Sequence, residues 1–294
     1  MTKSIGALVT EHVAVGIVED NKIVGTVWRF PDAENSSDVL GGMPAEEIVQ
    51  IIARAIEKAR EGSEIDAIGV GFPGINRNGF IEDSPNLKQT KGLHLGDSLA
   101  ALLGAKGTGK PVRVLNDAAA LAAGLAATRG QLDKLVRVWY LGVGIGLGRY
   151  PQGDAVSEGG HTVVTLDPKE TFCGCGGVGH LEGIMGHRSM RLRFLDLEPE
   201  EVFEQAREGD ERCREFVEFW HRALAAATAS SIHIDGPGKF FISGLNARHV
   251  QANMLDTYLH DMVKMSPLQG SALEVVSTSD ETAIIGAAVS AATS

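Results

Sequence analysis

Along the 294-residue chain, apolar residues gather in short blocks that read as strands separated by helices. The blocks "HVAVGIVE" (12–19), "KIVGTVWRF" (22–30), "DAIGVGF" (66–72), "PVRVLN" (111–116), "VRVWYLGVG" (136–144), "KFFISG" (239–244) and "LEVVST" (273–278) predict strands. Asp20-Asn21 between the first two predicts an antiparallel hairpin. From 44 to 60 the period changes to that of a helix. Pro44 suits the first turn, and Ile48, Val49, Ile52, Ala55, Ile56 and Ala59 share one face. Further helices are expected over 117–128, 199–208, 210–232, 246–263 and 281–292. Strands come first, then strand–helix alternation, which predicts an α/β fold with a boundary near 110–118.

Composition narrows the partners. Hydrophobic residues make up 44% and charged residues 22%, enough apolar content for a well-buried core. The net charge of −11, without a basic cluster, argues against nucleic acid and anionic membranes. No apolar run approaches the roughly 20 residues that span a bilayer. The opening "MTKSIGALVTEH" lacks the features of a signal peptide, so a cytoplasmic location is expected. Three cysteines, two of them in C-x-C, do not make a disulfide framework and fit a reducing compartment.

Four stretches could carry chemistry. His161, Cys173, Cys175 and His180 form H-x11-C-x-C-x4-H, a donor set that suits tetrahedral Zn²⁺. Four protein ligands would close the shell and make the site structural. A flexible glycine loop with incidental thiols would give the same letters. Cys213 reads as an ordinary packed thiol. In "LNDAAALAAG" (115–124) a strand ends at Asn116-Asp117 and a helix begins. A carboxylate there can take a proton from a substrate hydroxyl, or these residues can simply cap the helix. Glu158, three residues before His161, is either turn polarity or a side chain held beside a metal ligand. "YLGVGIGLG" (140–148) could offer backbone amides to a phosphate or form a twisted hairpin.

Taken together these stretches resemble the ROK family of sugar kinases and sugar-responsive regulators, which includes bacterial glucokinases. The signature E-x-G-H, nine to eleven residues, C-x-C-G-x-x-G-C/H-x-E is matched by Glu158-Gly-Gly-His161, eleven residues, and Cys173-Gly-Cys175-Gly-Gly-Val-Gly-His180-Leu-Glu182. "GVGFPG" (69–74) and "SPNL" (84–87) resemble the sugar-pocket loops, "ISGLNARHV" the adenosine-side strand–helix, and "ETAIIGAA" the closing C-terminal helix. The resemblance implies the two-lobed actin-like/RNase H-like fold, with residues 1–115 plus 280–294 as a smaller domain and 116–279 as a larger one carrying the zinc loop. It implies that Asn86, Asn116, Asp117, Glu158, His161 and Glu182 bind a hexose, with Asp117 as general base. It implies structural zinc on His161, Cys173, Cys175 and His180. It implies Mg-ATP on a surface that includes Gly142, Gly144, Gly146 and Gly244, and a homodimer or homotetramer.

The chain departs from the family in its phosphate loops. Where kinases of the family carry D-x-G-G-T, residues Ala7-Leu8-Val9-Thr10-Glu11 stand here, without glycines and with an added carboxylate. The second loop, G-T-G-I-G-G-G in the family, reads Gly142-Val143-Gly144-Ile145-Gly146-Leu147-Gly148. Three functions therefore stay open: ATP-dependent hexose phosphorylation, non-catalytic sugar binding by a degenerate kinase, and an acid/base reaction on a sugar by Asp117 and Glu158. A DNA-binding repressor is not expected, because the strands begin by about residue 12.

Overall fold

A computed structural model describes residues 2–32, 39–105, 109–153 and 157–293. In chain order its strands are β1 (Lys3–Val9), β2 (Val13–Glu19), β3 (Lys22–Phe30), β4 (Ala67–Phe72), β5 (Ile75–Arg77), β6 (Phe80–Asp83), β7 (Val112–Asn116), β8 (Val136–Leu141), β9 (Ile145–Tyr150), β10 (Lys239–Ser243) and β11 (Ala272–Val275). The α-helices are α1 (Ala45–Arg60), α2 (Leu95–Gly104), α3 (Asp117–Thr128), α4 (Leu181–Met185), α5 (His187–Arg193), α6 (Pro199–Glu208), α7 (Glu211–Asp235), α8 (Ala252–Met262) and α9 (Asp280–Ala292). Packing divides the chain into two units, Met1–Val136 with Gly148–Val156 and Thr278–Ser294, and Arg137–Leu147 with Ser157–Ser277.

The first unit is built on a five-stranded sheet in the order β3-β2-β1-β4-β7. β1 runs antiparallel to β2 and parallel to β4, so it is the middle strand, and all of it but Lys3 is buried. The sequence pattern left residues 3–9 out, because "KSIGALV" is not dense in β-branched residues. Pairing on both edges makes it a strand. Gly6 explains the small residues: a Cβ there would lie 1.9 Å from the carbonyl oxygen of Ile284, where α9 crosses the strand. The Asp20-Asn21 turn carries positive φ at both residues and closes the β2–β3 hairpin expected from the sequence. α1 buries Ile48, Val49, Ile52, Ala55 and Ile56, the face its periodicity marked. α3 and α9 meet closely, since a Cβ at Gly286 would sit 1.8 Å from the carbonyl oxygen of Ala120. At that separation two helices touch through their backbones, and the sheet below them inherits the fixed spacing.

The second unit carries the four-stranded order β11-β10-β8-β9. Its core gathers Trp139, Trp220, Phe240, Leu224 and Met185 around the 25-residue helix α7. The Trp139 indole donates to Thr228 Oγ1 at 3.0 Å. Arg137 is fully buried, yet its guanidinium is spoken for: it donates to Ser231 O, Ser231 Oγ and Gly236 O at the end of α7 and lies over the Phe240 ring. A cation at a helix C-terminus answers the unpaired carbonyls there. The helix expected over 246–263 is broken. Residues Leu245–His249 form a 3-10 turn, and the Gln251 amide donates to the His221 ring at 2.8 Å, which starts α8 afresh. Helices α2, α4 and α5 escaped the sequence pattern because each is short or interrupted by glycine.

Replacing Gly286 by alanine drives a methyl group into the Ala120 carbonyl. The expected cost is about 1–3 kcal/mol, read as a lower midpoint in urea unfolding with an unchanged slope.

Candidate functional site

In the second unit the cysteine–histidine loop closes on itself. Its arms are zipped by Val164 N to Gly179 O and Leu181 N to Thr162 O, both 2.9 Å. The donor atoms of His161, Cys173, Cys175 and His180 all lie within 4.8 Å of one another. Cys173 Sγ is 3.4 Å from Cys175 Sγ and 3.5 Å from His161 Nδ1, and Cys175 Sγ is 3.2 Å from His180 Nδ1. Two glycines permit this: a Cβ on Gly177 would strike the His180 ring at 2.1 Å, and Gly179 has φ +72° with Thr165 O 2.0 Å from any Cβ. The expected four residues thus converge, and two thiols with two imidazoles are a donor set that could hold a tetrahedral divalent metal. Burial pushes the Cys173 thiol up to about 12, with the Cys175 thiol and the Glu182 charge adding to it. A divalent cation is the partner that would offset such crowding of negative groups. His161 turns Nδ1 toward the cluster, so Nε2 points to the other edge of the ring. Cys213 lies elsewhere as a buried thiol, pushed up to about 11 chiefly by burial.

An ion pair that the sequence did not signal anchors the loop. Arg193 grips the buried Glu170 carboxylate with both terminal nitrogens, one bond measuring 3.0 Å, and stacks over Phe172 at 4.3 Å. Ser189 Oγ donates to Phe172 O. The partners are 23 residues apart, and no local motif joins them.

Glu182 links this loop to the glycine turn between β8 and β9. Its Oε2 accepts from Ile145 N at 3.0 Å, and Oε1 lies 3.6 Å from Cys173 Sγ. Gly144 is confined by the same carboxylate, 2.6 Å from where its Cβ would be. The structure brings Gly142 and Gly144 together with Gly244, whose φ is +99° and which abuts the Leu141 backbone. Gly146 lies farther along in β9. Glu158 is exposed at the head of the short turn that carries His161, whose N–H donates to Glu158 O at 3.0 Å.

In the first unit, Asn116 and Asp117 stand at the end of β7 and the start of α3. Asn116 is the helix cap, accepting from Ala118 N and Ala119 N, and its Nδ2 donates to Gly74 O at 3.0 Å. Asp117 Oδ1 accepts from Ala118 N at 2.9 Å, and among the described residues Oδ2 has no partner. Burial raises the Asp117 pKa above the ordinary carboxylate value, with Glu11 adding a smaller push. Asn86 is exposed on the loop after β6. The glycine-free turn from 10 to 12 closes through side chains instead. Thr10 N donates to His12 O, Thr10 Oγ1 meets His12 Nδ1 at 3.3 Å, and His12 Nε2 reaches Asp280 Oδ2 at 2.9 Å beside Arg29. That bond raises the His12 pKa and lowers that of Asp280.

The chain is thus an α/β protein with a closed cysteine–histidine loop in one unit and a buried carboxylate at a strand end in the other. The ROK family model matches residues 36–293, and the chain belongs to the ROK family. It is 33% identical over 264 residues to the glucokinase of Thermotoga maritima, covering 79% of this chain and 78% of that protein. Among solved structures, the ROK hexokinase from Thermus thermophilus superposes with a TM-score of 0.78 at 23% identity, covering 99% and 98% of the two chains. A ROK family glucokinase from Streptomyces griseus in complex with glucose and AMPPNP gives a TM-score of 0.67 at 22% identity over 99% and 100%. The fold is the actin-like fold of those kinases.

A buried carboxylate with a raised pKa favours its neutral form. The stability it contributes is present at low pH and is lost as pH rises from about 4 through the folded-state pKa. Asp117→Asn, which mimics the neutral form, should therefore melt higher than the parent at pH 8. The gap should close toward pH 4, as thermal melts across that range will show.

Proposed function

We propose that this protein phosphorylates a hexose with Mg-ATP, as a kinase of the glucokinase type. The observation that carries the reading is Asp117, a carboxylate with one unpaired oxygen and a raised pKa at the end of β7. A base of raised pKa holds an accepted proton more firmly than an ordinary carboxylate does. In the step proposed, Asp117 takes the proton of a sugar hydroxyl. The hydroxyl oxygen attacks the γ-phosphorus, the bond to the β–γ bridging oxygen breaks, and ADP leaves. Such a transfer asks the protein mainly for positioning and charge neutralisation. Asn116 has both polar atoms engaged, so its part is to fix the Asp117 backbone and the Gly74 loop. His161, through its outward Nε2, and the exposed Glu158 are the hydroxyl-reading side chains of the second unit. Asn86 serves the same purpose on its loop. Glu182, tied to Ile145 N and directed at Cys173, holds the glycine turn as well as any hydroxyl.

The metal reading is Zn²⁺ on His161, Cys173, Cys175 and His180. Its chemistry is to draw four side chains into one rigid corner, which leaves Glu158, His161 and Glu182 with little freedom. The nucleotide reading rests on Gly142, Gly144, Gly146 and Gly244. Among the described residues the amides of Val143 and Gly144 make no hydrogen bond within the chain, and Val143 is 66% exposed. Two adjacent outward amides suit a phosphate. The glucokinase relatives speak against a sugar-binding protein without catalysis.

A coupled ADP-release assay with a panel of hexoses tests the activity. Asp117→Asn is expected to lower kcat by about 10²–10⁴-fold with folding intact, and an unchanged rate would remove Asp117 from the step. Metal analysis should find about one zinc per chain. Cys175→Ser should lose it and, with it, most of the rise in melting temperature that glucose gives the parent protein.

A further inference from the structure

The nucleotide reading leaves unexplained a polar pair that borders the glycine turn, His187 and Asn246. Asn246 is completely buried. Its Nδ2 lies 3.5 Å from Gly142 O and 3.4 Å from Met185 O, and its Oδ1 lies 3.3 Å from His187 Nδ1. Two carbonyls can only accept, so Nδ2 must face them and Oδ1 must face the histidine. An amide oxygen cannot donate, so Nδ1 carries the ring proton. The tautomer of His187 is thereby fixed, and Nε2 carries a proton only when the ring is an imidazolium. The His187 backbone N–H donates to Gly142 O at 3.1 Å, which seats the residue against the turn whose Val143 and Gly144 amides have no partner among the described residues.

We propose that His187 is a nucleotide-phosphate contact, holding an anionic oxygen on its Nε2 beside the Val143 and Gly144 amides. The assignment rests on the reading that the nucleotide lies on this glycine turn. Asn246 is the positioning residue: it sets the ring's orientation and tautomer. In the neutral ring Nε2 is a lone pair and repels a phosphate oxygen, whereas in the imidazolium it donates a charge-assisted bond. Phosphate binding therefore takes up a proton. The charged groups around His187 are Glu200 and Arg248, which pair with each other, His249, and Glu182 on the far side of Gly144. Burial and Arg248 hold His249 down to about 4, which keeps that ring neutral between pH 6 and pH 8. Glu200 is matched by Arg248, and Glu182 by the Ile145 amide, which leaves His187 as the group able to change charge toward the ligand.

Calorimetric titration with Mg-AMPPNP in the presence of glucose tests this. The parent protein should bind more tightly at pH 6 than at pH 8. His187→Ala should weaken binding about 10-fold at pH 6 and keep only the pH dependence that belongs to the nucleotide itself. His187→Gln, which fills the same space without titrating, should show the same loss of pH dependence and serves if the alanine variant does not fold. Glucose affinity should be unchanged in both. Parent and variants with equal nucleotide affinity and equal pH dependence would overturn the assignment of His187 while leaving the nucleotide reading intact. A parent protein that binds no nucleotide would overturn both.

Discussion

One carboxylate, Glu182, decides how the second unit presents its chemistry. It sits two residues past His180, so its backbone is fixed by the closed cysteine–histidine loop. Its Oε2 holds Ile145 N, the first residue of β9, and so sets where the turn from Gly142 to Gly144 lies. With Gly142 O drawn to His187 N and to Asn246, the turn is pinned at both ends. Between those ends, among the described residues, the Val143 and Gly144 amides make no hydrogen bond within the chain. The loop and the glycine turn are thus one mechanical assembly, and disturbance of either moves the other.

One ion pair beside that assembly is shielded from water. Arg193 and Glu170 brace the loop from beneath through two bonds and two aromatic faces. A bidentate guanidinium–carboxylate pair loses most of its worth when exposed and retains it when shielded. Arg137 braces the end of α7 through the Ser231 and Gly236 carbonyls and the Ser231 hydroxyl. In the first unit the fixed element is backbone contact between α9, α3 and β1, which only glycine permits.

The turn from Thr10 to His12 shows a family scaffold rebuilt by different means. Without glycines it closes by side chains, with His12 reaching Asp280 at the start of α9. The resemblance gives this turn a phosphate contact through bare backbone. Here the same stretch is anchored to the last helix and carries Glu11 outward. Kinase chemistry depends on positioning more than on covalent steps, so a turn closed by side chains does not by itself rule it out.

Much of this was legible in the letters. Strand and helix periods located α1, α3, α6, α7, α9 and the β2–β3 hairpin, because those elements bury one face and show it. The spacing of His161, Cys173, Cys175 and His180 offered a possible metal set with a plain glycine loop as the alternative, and the structure brings the four donor groups together. The family signature around Glu158 to Glu182 did the rest. β1 was not legible, since a strand paired on both sides and covered by α9 needs small residues more than β-branched ones. Glu170 with Arg193, and His187 with Asn246, were also invisible: 23 and 59 residues separate the partners. Sequence determines which groups a chain owns and which local periods they follow. Only the packed chain decides which distant groups share a proton, because that depends on distances of about 3 Å that no spacing along the chain encodes.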